Sequence, residues 1–123
     1  MKNLIALALF ASLPSLAQAQ TVWTSPNLSI SGNRSNGCDL RIVEVTHNGS
    51  PLSSLRFVVL NRGSTAVIVN ADVTMTGNNQ RKTGPIFGVI AAGQQGTLQG
   101  FHPFGGSLAG STVAIRFTSC AAR

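Results

Sequence analysis

The segment from Thr65 to Met75 constrains the fold more than any other part of the chain. Apolar residues fill every second position from Val67 to Met75, and the positions between them are polar except for Ile68. Successive side chains of a β-strand point to opposite sides of the sheet, so this alternation predicts a strand with one buried face. The predicted core residues of this strand are Val67, Val69, Ala71, Val73 and Met75.

A second apolar run, Phe57 to Leu60, precedes this strand and is separated from it by Asn61-Arg62-Gly63-Ser64. A short polar stretch with a Gly between two such runs is a hairpin signal. We therefore predict that the two runs pair as a hairpin at the centre of the fold. We expect this hairpin to be a scaffold that holds binding loops, because its outer face is too polar for a large interface.

The first 19 residues have the features of a secretory signal peptide. Lys2 precedes an apolar run from Leu4 to Leu13, and the small residues of Ala17-Gln18-Ala19 form a cleavage site. We expect cleavage after Ala19 and an exported domain of residues 20–123, periplasmic or secreted. The run is shorter than the roughly 20 apolar residues that cross a membrane, so a membrane-spanning protein is not expected.

Residues 20–123 are rich in Gly, Ser, Thr, Val and Asn and poor in Glu and Lys. This mixture is typical of strands and tight turns. Short apolar runs separated by turn residues predict a single all-β domain of seven or eight antiparallel strands, with the pattern of a β-sandwich or a small barrel. Around Pro26 we expect an edge strand or a pair of fragments, since Pro cannot donate to a ladder. Near Ile42-Val43 the apolar residues change face, which indicates a bulge or burial on both sides.

Cys38 and Cys120 are the two cysteines of the chain. In an exported protein an even number predicts a disulfide, and two cysteines allow one pairing. In the chain-entropy model, closing a loop of about 80 residues is worth roughly 4–5 kcal/mol. Cys120 shares its strand face with Arg116 and Thr118 rather than with the apolar residues. We therefore expect either a kink after Phe117 or a bridge at the edge of the sandwich.

Positive charge dominates the expected exported domain. Eight Arg and Lys residues stand against Asp39, Glu44 and Asp72, a formal net charge of +5 without Lys2. Arg binds carboxylate and phosphate bidentately, so one interpretation is attraction to an anionic envelope partner: lipid, polysaccharide or an acidic protein. The other, which we favour, is that the charges keep outward strand faces soluble. Nucleic acid is not expected, because the charges form no basic run.

Groups that could carry out chemistry are few. Asp39 and Glu44 lie five positions apart on one predicted strand, so they face opposite sides and are not an acid–base pair. No Gly-x-Ser-x-Gly nucleophile turn is present. His47 and His102 lie in separate predicted loops without the carboxylate spacing of a metal site. We therefore expect no catalytic residue, no metal and no cofactor, and we interpret His47 as an exposed turn residue.

Two loops are candidate binding sites. Phe101, His102 and Phe104, flanked by glycines, could form an exposed aromatic platform. The alternative, which we favour, is that both rings fold back over the open end of the core. The second candidate contact is Arg81 with Lys82, in a long polar loop expected at residues 77–85 and predicted to be mobile; here a merely solvated loop is the favoured alternative.

Three stretches carry a family resemblance: Leu60-Asn61-Arg62-Gly63, then Val67 to Val73, then Ala92-Gly93-Gln94 with Thr97-Leu98. Their pattern resembles small bacterial immunoglobulin-like modules of the fibronectin type III and cell-adhesion-related kinds. The resemblance implies an immunoglobulin-like β-sandwich, and fold does not fix function. The antibody hallmarks are missing, since no Trp lies between the cysteines and the chain has no Tyr. Size, export and the all-β pattern are also similar to the periplasmic immunoglobulin-like chaperones of curli assembly, which suppress amyloid formation.

These observations leave three functional hypotheses. The leading one is a non-catalytic exported module that binds a protein or an anionic envelope partner through loops or an edge strand. The second is a periplasmic chaperone or amyloid inhibitor that acts through a strand edge or through charge. The third is a small exported hydrolase or metalloprotein.

Overall fold

The computed structural model describes residues 20–123, and the signal peptide predicted at residues 1–19 lies outside them. The described chain contains β-strands and no helix. In chain order the strands are β1 (Thr21–Val22), β2 (Leu28–Ser31), β3 (Leu40–His47), β4 (Arg56–Asn61), β5 (Val67–Gly77), β6 (Gln80–Ile90), β7 (Gln95–Leu98) and β8 (Thr112–Ala122).

The eight strands form two four-stranded sheets. The first sheet has the order β1-β3-β4-β7, and the second has the order β2-β8-β5-β6. The all-β architecture and the strand number are therefore as predicted. A purely antiparallel sandwich is wrong at one pair, because β2 runs parallel to β8. The segment around Pro26 is a pair of fragments, since β1 and β2 are edge strands of different sheets.

The predicted hairpin between β4 and β5 is wrong. β4 pairs with β3 and β7 in the first sheet, whereas β5 pairs with β6 and β8 in the second. The connection between β4 and β5 therefore crosses from one sheet to the other. Asn61 stabilises this crossing: its Nδ2 donates to Thr65 O at 2.8 Å and to Ile90 O at 3.1 Å, and its Oδ1 accepts from Gly63 N at 2.9 Å. These bonds hold the turn against the end of β6.

The predicted loop at residues 77–85 is also wrong, because Gln80 to Pro85 belong to β6. β5 and β6 are joined by a tight turn at Asn78-Asn79, with Gly77 paired to Gln80. Both Asn residues have positive φ, 53° and 57°. A two-residue hairpin turn of type I′ requires this conformation, and Asn adopts it more readily than most residues. The polar residues after the turn thus lie on a strand.

The core lies between the two sheets, and the residues predicted from the alternation of β5 all belong to it. Val67, Val69, Ala71, Val73 and Met75 are buried. β8 contributes Val113, Ile115 and Phe117, and the first sheet contributes Phe57 and Val59. The alternation of β5 therefore identified its buried face correctly.

Two bulges explain the residues that break the alternation. In β3 the pairing shifts between Ile42 and Glu44, as predicted, so Val43 is the additional residue. In β8, Phe117 pairs with Ala71 and Ser119 pairs with Asn70, so Thr118 is the additional residue. A bulge reverses the parity of the residues that follow it. Cys120 is therefore partly buried and packs against the core, which confirms the kink after Phe117.

The predicted disulfide joins Cys38 to Cys120 across 82 positions of sequence. Cys38 lies two residues before β3 in the first sheet, and Cys120 lies near the end of β8 in the second. The bridge therefore connects the first long strand to the last strand, and one sheet to the other.

Candidate functional site

Phe101 and Phe104 are core residues, with 2% and 8% of their surface exposed. The interpretation of an exposed aromatic platform is therefore wrong, and the alternative, that the rings close the end of the core, is confirmed. Leu55 N donates to Phe101 O at 2.8 Å, which holds this loop against the start of β4. Gly84 leaves room for the Phe101 ring, since a Cβ there would lie 3.3 Å from it, and the Phe104 ring packs near Gly77. His102 is exposed on the same loop.

Arg81 and Lys82 lie beside the aromatic loop although about 20 residues separate them in sequence. The Lys82 ammonium lies 5.8 Å from the centroid of the Phe101 ring, within cation–π range. One residue before Arg81, the Gln80 Nε2 donates to Gly105 O at 3.2 Å. The structure therefore brings both predicted contact segments together, with the cations accessible and the rings buried.

The segment of residues 99–105 runs along the outer edge of β6. Gln99 forms a bridge with Phe87, and a Cβ on Gly100 would lie 3.6 Å from Pro85 O. Gly77 and Gln80 close a two-residue turn, so the N–H groups of alternate residues from Gln80 onward point at β5. An N–H at Pro85 would point away from β5, so the absence of this N–H removes no hydrogen bond between the two strands. A proline and a covering segment are devices that protect sheet edges from strand addition.

The outer face of the second sheet carries an exposed apolar group that the sequence analysis missed. Ile68, Phe87 and Val89, here called the outer apolar cluster, are 40%, 66% and 48% exposed. Ile68 is paired directly with Val89, and Phe87 is paired with Asn70, two positions along β5 from Ile68. Side chains at such positions lie about 5 to 8 Å apart. The cluster is therefore contiguous and is held on two hydrogen-bonded strands.

A signal for this cluster exists in the sequence. In β6 the residues at odd positions from Arg81 to Val89 are exposed, while Ile86 and Ile90 are buried. Gly84 and Gly88 occupy the inward positions before and after Ile86, and a Cβ on Gly88 would lie 2.7 Å from Leu98 Cδ2. Because glycine has no apolar side chain, these two inward positions interrupt the apolar alternation of β6 in the sequence. Counting them as inward-facing would have placed Phe87 and Val89 outside.

All three carboxylates of the described chain form ion pairs with Arg. Asp39 Oδ1 lies between Arg34 Nε at 3.3 Å and Arg62 Nε at 3.9 Å, without hydrogen-bond geometry to either. Glu44 pairs with Arg56 at 2.7 Å, and Asp72 pairs with Arg116 at 2.9 Å. These pairs are exposed, so each is worth at most about 1 kcal/mol.

Four cations have no carboxylate partner within residues 20–123: Arg41, Arg81, Lys82 and Arg123. Arg81 and Lys82 are at the start of β6. Arg123 follows β8 at the opposite end of the same sheet, where its N donates to Ala66 O at 2.9 Å. Three of the four cations therefore lie at the two ends of the sheet that carries the outer apolar cluster. Arg41 lies on β3 of the first sheet.

His47 is buried, with 4% of its surface exposed, so its interpretation as an exposed turn residue is wrong. Its Nδ1 accepts from Gly49 N at 3.1 Å, which leaves Nε2 to carry the proton and donate to Ser53 O at 3.0 Å. The ring thus fixes the turn after β3. Beside it lies a cleft of about 470 Å³, also lined by Phe104 and Leu108. Both ring nitrogens are occupied by backbone groups.

Within residues 20–123, no group of three or more His, Cys, Asp or Glu side chains could hold a metal ion. The same residues contain no helix that is long and apolar enough to span a membrane. No protein-family model matches the chain, and no curated protein or solved structure matches it either.

Proposed function

We propose that residues 20–123 are an exported, non-catalytic module that binds another protein through the outer apolar cluster. The observation that carries this proposal is the exposure of Ile68, Phe87 and Val89 side by side on paired strands. Contiguous exposed apolar side chains on a soluble domain commonly mark an interaction site. An aromatic residue such as Phe87, two-thirds exposed, is the kind of side chain that interfaces bury at their centre.

The same observations favour this face over the aromatic loop and over the edge of β6. The aromatic loop contributes its rings to the core and leaves His102 as its exposed side chain. The edge of β6 is covered by residues 99–105 and contains Pro85, which opposes the addition of a partner strand. The outer face of the second sheet needs no rearrangement to be reached.

Export and an immunoglobulin-like relationship belong to the same proposal. The features of residues 1–19 support export, and a disulfide is typical of oxidising compartments. Two packed four-stranded sheets support the immunoglobulin-like architecture. In antibody constant domains the second strand lies beside the fifth. Here β2 lies beside β8, and β3 lies between β1 and β4, so neither lies beside β5. The proposed relationship therefore concerns architecture and not strand order.

A periplasmic chaperone or amyloid inhibitor is the second candidate, and the same face favours it. An apolar surface built from paired strands can cover an extended, aggregation-prone segment of another protein. The measurement is the fibrillation time of an amyloid-forming peptide at sub-stoichiometric protein. Slower fibrillation with the wild type, lost in Phe87→Ser, would support this function. An unchanged fibrillation time would exclude the chaperone or amyloid-inhibitor function.

The leading proposal is tested by comparing Phe87→Ser with Leu52→Ser. Leu52 is 87% exposed in the turn between β3 and β4, so both changes remove one exposed apolar side chain from different surfaces. Immobilised wild type and both variants are incubated with envelope extract of the source organism, and the retained proteins are compared. We expect a discrete protein retained by wild type and Leu52→Ser, with retention by Phe87→Ser reduced about tenfold or more, as for a central interface residue. Equal retention by all three would contradict the proposal.

A further inference from the structure

We infer that the segment bound by the outer apolar cluster is an extended polypeptide with apolar residues at its centre and acidic residues at its flanks. This inference rests on the proposed function and adds the chemistry of the partner. The distribution of charge over the second sheet supports this chemistry.

The cluster lies between cations that have no acidic partner within the described residues. Arg81 is on the outer face, paired with Thr76. Lys82 follows it on the opposite face of β6, paired with Met75 and with its ammonium near the Phe101 ring, so Arg81 is the outer-face cation at this end. At the other end, Ile68 pairs with Ala121, and Arg123 follows two residues later. The three side-chain carboxylates of the described residues pair with other arginines. The excess positive charge of this sheet is therefore available to a partner. Complementary charge on that partner would speed and orient binding.

The part of the outer face that lies between the outer apolar cluster and Arg81 has no net charge. Asp72 and Arg116 neutralise one another at 2.9 Å. The hydroxyls of Thr74 and Thr83 share a hydrogen bond at 3.2 Å. Neither pair offers excess charge. An approaching acidic residue is therefore attracted to the ends of the sheet and not to its middle.

The spacing along β6 sets the length of the partner segment. Phe87 lies six positions after Arg81, a distance of about 20 Å at the rise of a β-strand. A partner chain lying extended along β6 would therefore place an acidic residue about six positions from the apolar residue that contacts Phe87. The alternate side chains of an extended chain match the alternate positions of β6.

The geometry favours a polypeptide over an anionic membrane, which would also attract these cations. The apolar side chains stand in fixed register on two paired strands, with Ile68 opposite Val89, and polar Asn70 and Thr74 continue the same row along β5. Such a surface fits a partner polypeptide whose side chains have the same spacing as those of β5 and β6. A bilayer interface instead favours a broad apolar surface that can enter the acyl region.

The test uses synthetic peptides with one alternating apolar core and flanks of Glu, Gln or Lys, together with phosphatidylglycerol vesicles. The protein variants are Arg81→Glu and Arg41→Glu. Both make the same change of charge at an exposed strand residue, and Arg41 lies on the other sheet. Phe87→Ser is included to report on the cluster itself. Affinities are measured at low and at high salt.

We expect the Glu-flanked peptide to bind the wild type about tenfold more tightly than the Lys-flanked peptide at low salt, with a smaller difference at high salt. Arg81→Glu should weaken binding of the Glu-flanked peptide about three- to tenfold, and Arg41→Glu less than twofold.

Three outcomes would overturn the inference. Equal affinity for all flanks, with binding still lost in Phe87→Ser, would overturn the acidic partner and leave the proposed function standing. Binding of vesicles that Arg81→Glu abolishes, without binding of any peptide, would replace the polypeptide with a membrane. Binding of peptides that Phe87→Ser does not change would overturn the inference together with the proposed site.

Discussion

At the scale of single residues, Asn61 shows how one side chain decides the path of the chain. It is 2% exposed and makes three hydrogen bonds, all to backbone groups. Asn followed two residues later by Gly is compatible with a hairpin turn and also with an Asx turn, in which the side chain accepts from that N–H. The sequence does not distinguish them, because the deciding contact, Ile90 O, lies 29 residues away.

Replacing Asn61 should therefore destabilise the whole domain. Asn61→Ala removes the donor from two carbonyls and the acceptor from Gly63 N, so we expect a loss of about 2–3 kcal/mol in the free energy of unfolding. Asn48→Ala is the control, because Asn48 makes one exposed bond to Ser50 N and should change stability by less than about 0.5 kcal/mol. Urea denaturation measures both. Similar values for the two variants would show that Asn61 does not hold the crossing.

At the scale of strands, the sequence predicts which side of a strand is buried more reliably than it predicts the partner of that strand. The alternation of β5 identified Val69 and Val73 as core residues, because burial depends on the residues of the strand itself. The partners of β5 are β6 and β8, and this pairing depends on turns and contacts outside the strand itself. The turn at Asn78-Asn79 was missed because Asn-Gly is the stronger hairpin signal, and the polar residues after it resemble a loop.

The β5–β6 hairpin should depend on the residue at position 79. Asn79 has a φ of 57°, which β-branched side chains rarely adopt, so Asn79→Val should lower the free energy of unfolding by about 1–2 kcal/mol. Asn79→Gly should keep or slightly raise it, since Asn-Gly is the preferred type I′ pair. Thermal and urea unfolding measure the difference. A stable Asn79→Val variant would contradict the tight turn.

At the scale of the whole molecule, the disulfide and the two-sheet core were predictable, and the outer apolar cluster was not. Two cysteines in a chain predicted to be exported allow one pairing, which Cys38 and Cys120 form. The outer apolar cluster instead needs β5 and β6 side by side in the correct register, so that Ile68 meets Val89. The outer face of β5 alone carries Ile68 among polar residues. Its neighbour β6 adds Phe87 and Val89 to that face.

Removing the disulfide should cost a large part of the stability of the domain. A bridge across 82 positions is worth about 4–5 kcal/mol in the chain-entropy model. We expect Cys38→Ala/Cys120→Ala, and the wild type under dithiothreitol, to lose a comparable free energy of unfolding. Dithiothreitol should not affect the double variant, which serves as the control. A loss below about 1 kcal/mol would show that the sheets hold together without the bridge.

The claim that the outer apolar cluster is the binding face is tested most directly by photo-crosslinking from position 87. A photoreactive phenylalanine analogue replaces Phe87 in one protein and Leu52 in another, and both are irradiated in intact envelopes of the source organism. We predict a discrete crosslinked protein from position 87 that is absent from position 52. Crosslinks of equal yield and pattern from both positions, or from position 52 alone, would contradict the account.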